Sequence, residues 1–362
     1  MAQKNYFTER DKENFYKLSR IIDEELPDFC REFFIALESR ATTLTRLAYA
    51  YDLKLFFRYL VTESSLFLGR EIKQIRLDEL ENLSGIDIEK YLSYLSYYTN
   101  LDDETRKNSN KAKARKLSAL RAMFKYFAKK DKIKHDPTVT VDSPKIKDKE
   151  IIRLEGEEIS KMLNVTESGR GLTARQLAYH ENTRVRDTAI IGLLLGTGIR
   201  VSELVGLDLN DVNFENLSFV VTRKGGSRVQ LYFSDEVGGL LYEYYLYRVA
   251  EKAIPSDEKA FFVSLQNKRF SPRSVENIVK KYSSVATPNK NITPHKLRST
   301  FGTQLYRQTG DIYVVADVLG HKDVNTTKKH YAAMSDDIRR KASTKVSLRP
   351  TTEYDNNDKN DD

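Results

Sequence analysis

The stretch at 136–150, DPTVTVDSPKIKDKE, interrupts a chain that otherwise repeats apolar residues at helical spacing. Two prolines in a polar, charged setting give it the composition of an extended interdomain linker. A chain divided in this way folds as two bodies, each with its own core, and 362 residues suffice for both. Hydrophobic residues make up 40%, enough for two cores; Trp is absent, and 21 Tyr and 17 Phe supply the large rings.

Ahead of the linker the pattern predicts an all-helical bundle. In the first 40 residues Leu18, Ile21, Ile22, Leu26, Phe29, Phe33 and Phe34 recur at helical spacing, with a break near Pro27. Residues 1–41 are set apart as a helical extension that packs on the next domain, 42–135. Within that domain helices are expected over Thr42–Thr62, Ile86–Tyr98 and Asn110–Lys130, the last with Leu117, Leu120, Met123, Phe124 and Phe127 on its apolar side. Between Arg106 and Lys134 stand twelve Lys or Arg and a single acid, Asp131. A solvated face usually mixes signs, so this one-sided stripe points to phosphate contact, with Lys111, Lys113, Arg115, Lys116 and Arg121 as candidates. The formal charge of +8 suits a polyanionic partner, nucleic acid or an anionic membrane surface. No apolar run reaches the roughly 18 residues of a membrane span, and the N-terminus, MAQKNYFTERDKENF, is not a signal peptide, so a cytoplasmic address and no membrane partner are expected. A single cysteine, Cys30, rules out an internal disulfide framework, and scattered histidines argue against a zinc cluster.

The second domain starts near Ile151 and runs to 348. Helices are predicted over Leu154–Leu163, Arg184–Leu195, Val237–Ala250, Ser271–Tyr282, His295–Gln308, Ile312–Leu319 and Asn325–Tyr331, while the polar run 164–183 carries no clear pattern. LSFVVT at 217–222 and RVQLYF at 228–233 alternate like strands around the turn RKGGS, and Phe261–Val263 reads as a further short strand. The fold class is therefore mainly α, with a small antiparallel sheet in the second domain. The last residues, 349–362, are acidic, lack an apolar pattern and are expected to be disordered.

Three islands in this half can carry chemistry. GTGIRVSEL, 196–204, has too few glycines for a dinucleotide fingerprint and follows a helix-like run. What it offers is Arg200 just after a Gly-rich bend, with Glu203 three residues on, a structural ion pair or an oriented anion-binding guanidinium. In TPHKLR, 293–298, His295 and Arg298 share one helix face and can address one phosphate. In LGHKDVNTTKKHY, 319–331, His321 follows a helix-ending glycine and Tyr331 lies in a basic setting.

Taken together, Arg200, His295, Arg298, His321 and Tyr331 resemble the tyrosine recombinases, the family of Xer proteins and phage or transposon integrases. GTGIRVSELVGLDLNDVN, PHKLRSTFGTQL and LGHKDVNTTKKHY look like its three motif blocks, and 42–148 is more loosely similar to its helical, SAM-like core-binding domain. The resemblance implies a catalytic lysine on the hairpin, for which Lys224 in TRKGGSR is the match, with Arg223 and Arg228 as neighbouring phosphate contacts. It also implies duplex DNA with a specific recombination site as substrate, a homotetramer on that DNA, a 3′-phosphotyrosine intermediate at Tyr331, and neither metal nor cofactor. Residues 332–348 are the candidate segment for docking onto a neighbouring protomer. Two positions depart from a bare match: Ser299 stands where many relatives have histidine, and His330, directly before Tyr331, is read as a surface or packing residue. The rival readings are a DNA-binding protein of the same fold that no longer cuts, and a type IB topoisomerase.

Overall fold

In the computed structural model, which describes residues 6–99, 105–146, 152–223 and 226–320, the chain divides into two units, Met1–Lys149 and Glu150–Asp362. As the sequence pattern predicts, it is mainly helical with a small antiparallel sheet.

The N-terminal unit contains α1 (Tyr6–Glu25), α2 (Cys30–Leu37), α3 (Thr43–Glu63), α4 (Gly85–Tyr94) and α5 (Asn110–Lys129). The starts of α3, α4 and α5 have local causes. Thr42 Oγ1 accepts from Thr45 N at 3.3 Å, Ser109 Oγ accepts from Ala112 N at 3.3 Å, and Ser84 with Asp87 forms a capping box, all of which satisfy donors that a helix start leaves open. Leu18 and Ile21 of α1, Phe33 and Phe34 of α2, Phe56 and Phe57 of α3, Tyr91 of α4 and Phe124 and Phe127 of α5 close into one core. The rings meet edge to face, Phe56 on Tyr91 at 5.2 Å and Phe29 on Phe127 at 5.6 Å, and each such ring contributes roughly 2–3 kcal/mol by leaving water. After α4 the chain leaves the helix earlier than expected and pairs β1 (Tyr98–Thr99) with β2 (Thr105–Arg106). The linker is not extended at its start. Asp136 Oδ1 accepts from Thr138 N at 2.8 Å, Val141 is buried in this core, and Arg121 holds Ser143 Oγ at 2.7 Å and the Val141 carbonyl.

The second unit is built around α7 (Ala174–Thr197), which packs against α6 (Gly156–Ser168), α9 (Asp235–Ala250) and α11 (Pro294–Thr309). Ala189, Ile190, Ile191, Leu193 and Leu194 are at most 1% exposed, because a helix apolar on every side must be covered on every side. This helix starts ten residues before the predicted Arg184. Thr173 and Gln176 form its capping box, and the side chains it buries in that first part are polar, His180 and Thr183, so no apolar stripe marks them. His180 Nε2 is satisfied by Thr166 O at 2.8 Å. Beyond α8 (Val201–Val205), a three-stranded antiparallel sheet runs β3 (Val212–Asn213), β4 (Ser218–Thr222) and β5 (Arg228–Tyr232), with Phe219 facing Leu231 and Val221 facing Val229. The predicted strand at Phe261–Val263 does not form a ladder. Only single bridges form there, Ala260 just before it with Asp208 and its own Val263 with Arg269, and Phe261 and Phe262 are buried beside Tyr244. Helix α10 (Pro272–Ala286) is capped by Ser271, and α12 (Ile312–Leu319) by Asp311, whose Oδ1 accepts from Tyr313 N at 2.7 Å. Among the described residues no helix is long and apolar enough to cross a membrane.

Candidate active site

Helix α7 ends where the first motif island begins. Thr197 Oγ1 donates back to Leu193 O at 2.6 Å, and Gly198 takes φ +61°, a left-handed turn that ends the helix. A Cβ at Gly198 would stand 2.5 Å from Phe301 Cδ1 and 3.0 Å from Leu319 Cδ2, so both the backbone angle and the packing require glycine. Gly198→Ala should therefore lower unfolding stability by about 2–4 kcal/mol, read from urea titration, and an unchanged midpoint would remove this account of the island.

Two residues on, Arg200 caps the short α8. Glu203, 4% exposed, accepts from Arg200 N at 3.0 Å with one carboxylate oxygen and from Arg200 Nη1 at 2.7 Å with the other. The remaining end of the guanidinium, Nη2, donates to Gly320 O at 3.1 Å. The sequence left open whether Arg200 and Glu203 are merely a structural pair; here the carboxylate orients the guanidinium and leaves its side chain 35% exposed. From α11, Arg298 comes to the same place. It is 6% exposed, donates from Nη1 to Gly198 O at 2.6 Å and from Nη2 to Leu319 O. From the end of β4, Arg223 donates to Val318 O at 3.1 Å.

Three guanidinium groups from three elements thus converge on three consecutive carbonyls, 318, 319 and 320, at the end of α12. The physical reason lies in helix termination. The last carbonyls of a helix have no partner within it and carry the negative end of its dipole. Gly320, at φ +62°, ends α12 at that point. Cations gather on these acceptors, and Glu203 offsets the mutual repulsion of at least one of them. Nothing in side-chain patterning announces this anchor, because its acceptors are backbone atoms.

The other predicted residues divide. His295 lies exposed in the first turn of α11, after Thr293 and the N1 proline Pro294. Arg228 is ion-paired to Asp211 Oδ1 at 2.7 Å with its side chain 66% exposed. Lys224, His321, Tyr331 and the segment 332–348 lie outside the described residues, as do the predicted helix Asn325–Tyr331 and the tail 349–362.

On α5 of the other unit the basic candidates also divide. Lys111 is exposed, Lys113 Nζ donates to Ser96 Oγ at 2.6 Å, and Arg115 presents half its side chain while Nη2 donates to Asp52 Oδ1 at 2.8 Å. Lys116, expected among the phosphate contacts, is 8% exposed and pairs with Asp52 at 3.1 Å. Arg121, also expected there, is occupied by the linker start. Lys116 falls on the buried side of α5 and needs an internal acceptor, whereas Arg121 is only partly buried and is taken up by the linker that lies beside it. Asp52, which sequence reasoning passed over, is that acceptor. Burial pushes its carboxyl above the ordinary aspartate range, against the pull of Lys116 and Arg115.

Comparison with known proteins bears on the whole arrangement. Residues 153–337 match the phage integrase family. A tyrosine recombinase XerC of Caldanaerobacter subterraneus subsp. tengcongensis is 34% identical over 305 residues, 82% of this chain and 79% of that protein. A tyrosine recombinase XerS of Streptococcus sanguinis is 31% identical over 338 residues, 86% of this chain and 93% of that protein. The fold is shared with the XerH site-specific recombinase bound to palindromic difH substrate in a post-cleavage complex, at TM-score 0.62 and 18% identity, covering 92% of this chain and 94% of that one. It is shared also with the Tn1549 transposon integrase in complex with transposon right end DNA, at TM-score 0.61 and 18% identity, covering 88% and 98%. The chain belongs to the phage integrase family, as a tyrosine recombinase of the Xer type.

Proposed function

We propose that this recombinase breaks and rejoins duplex DNA at a specific site through a temporary covalent bond between Tyr331 and a backbone phosphate. The observation that carries the reading is the convergence of Arg200 and Arg298 on the end of α12, one residue before His321. Two planar guanidinium groups drawn to adjacent carbonyls suit the two non-bridging oxygens of a phosphodiester, whose charge grows at the transition state. In the proposed reaction Tyr331 Oη attacks phosphorus, and His295 accepts the phenol proton. His321 donates to a non-bridging oxygen. The bond from phosphorus to the 5′-oxygen breaks, and Lys224 gives that oxygen its proton. The products are a 3′-phosphotyrosine and a free 5′-hydroxyl, and the reverse steps rejoin the strand. One phosphodiester is exchanged for another, so the chemistry requires neither ATP nor a metal.

Lys111, Lys113 and Arg115 are assigned to the DNA backbone, which fixes register without reading sequence. A homotetramer joins two duplexes, with 332–348 docking on a neighbouring protomer. The task served is resolution of chromosome or plasmid dimers, or movement of an integrating element.

Two assays test the reading. On DNA carrying the chain's own site, exchanged products support it, whereas relaxation of supercoils without site preference would make the enzyme a topoisomerase, and binding without cleavage a silent DNA-binding protein. Lys224→Ala should slow cleavage about 100-fold or more while leaving DNA affinity nearly unchanged, the signature of a lost proton donor; an equal loss of both would make Lys224 a docking residue.

A further inference from the structure

One side chain joins the turn between β4 and β5 to the end of α12. Arg223 is the residue immediately before Lys224. Its backbone closes the base of the turn, N donating to Ser227 O at 2.8 Å and O accepting from Gly226 N at 2.9 Å. Its side chain crosses to α12, where Nη2 donates to Val318 O at 3.1 Å. The guanidinium lies flush against Gly320, since a Cβ built on that glycine would overlap Nη1 and Cζ. Nε is buried and has no acceptor among the described residues. Nη2 and one face of the guanidinium are thus taken up by the end of α12, whereas the basic run TRKGGSR alone suggests a phosphate contact for this residue.

Covalent geometry gives the contact its meaning. Lys224 follows Arg223 and His321 follows Gly320 in the sequence, and consecutive Cα atoms are about 3.8 Å apart, so the contact joins the two residues that directly precede them. We infer that Arg223 is a positioning residue: it fastens the hairpin that carries Lys224 to the end of α12, so that the lysine meets the same phosphate as Arg200 and Arg298. The inference rests on the proposed role of Lys224 as the acid for the 5′-oxygen.

The test compares single-turnover cleavage, at saturating DNA, of two nicked suicide substrates, one ordinary and one with sulfur replacing the bridging 5′-oxygen. A thiolate leaves without needing a proton, because its conjugate acid is far stronger than an alcohol. Arg223→Ala should cleave the ordinary substrate about 10- to 100-fold more slowly, with DNA affinity within about 2-fold of the parent. The sulfur substrate should restore most of that loss, as it should for Lys224→Ala. Arg223→Lys, which keeps one donor for Val318 O, should fall between parent and alanine variant, and it carries the same comparison if Arg223→Ala does not fold. Lost affinity with intact cleavage at saturation would overturn the inference and make Arg223 a phosphate contact. Rescue of Lys224→Ala without rescue of either Arg223 variant would overturn it too, leaving the acid assignment standing. Failure of sulfur to rescue Lys224→Ala would sink the acid assignment itself, and the inference with it.

Discussion

Tyr331→Phe should bind duplex DNA as tightly as the parent protein and form no covalent adduct on a nicked suicide substrate. The substitution removes one oxygen and keeps the ring, so packing and charge are almost unchanged while the nucleophile is gone. Removal of a nucleophile from a cooperating set lowers turnover by at least about 10⁴-fold, which places adduct formation below detection on a gel. The control that gives the experiment force is affinity: a variant that neither binds nor cuts says nothing about the phenol. An adduct that persists in Tyr331→Phe would move the nucleophile to one of the other tyrosines and dissolve the proposed chemistry.

Arg200→Ala and Arg298→Ala should both lose about 10²- to 10³-fold in cleavage, the usual loss when a charge-stabilising donor is removed, yet they should differ in stability. Arg298 is almost fully enclosed and supplies donors to Gly198 O and Leu319 O. Its removal strands buried carbonyls and should lower unfolding stability by about 3 kcal/mol. Arg200 is more exposed, and its loss leaves Gly320 O nearer to water; the buried Glu203 keeps its bond to the backbone N of residue 200. Its stability loss should be the smaller of the two. Urea denaturation of both variants beside single-turnover cleavage separates the effects. Equal destabilisation would mean that the two guanidinium groups play the same structural part, contrary to their burial.

Much of the architecture was legible because it follows from periodic burial. The apolar run from Ala189 to Leu194 announced the central helix, and the alternation around RKGGS announced the hairpin. The misses share a cause. The first ten residues of α7 bury His180 and Thr183 through hydrogen bonds, and a polar core face leaves no hydrophobic signature. Phe261–Val263 has strand composition, yet strand pairing depends on what lies alongside, and only single bridges are available there. Of the candidate site, type and spacing offered only Arg200 beside Glu203 and His295 beside Arg298, and the resemblance joined them into one set; Arg200 and Arg298 do reach adjacent carbonyls at the end of α12, while His295 lies exposed in the first turn of α11. Which basic side chains have partners within the fold was not legible. Lys116 and Arg121 look like their neighbours in the sequence, and only the position of Asp52 and of the linker distinguishes them.

The end of α12 has a consequence for how such a site drifts over generations. Its three acceptors belong to the peptide backbone, so replacing the side chain at Val318 leaves the oxygen that receives Arg223 where it is. Substitution is restricted at Gly320 by its left-handed φ of +62° and by the arginine that a β-carbon would have to displace, and at Leu319 by burial, but not by the identity of the acceptors. The donors are side chains that a single substitution removes, whereas their perch survives so long as the helix stops on the same residue.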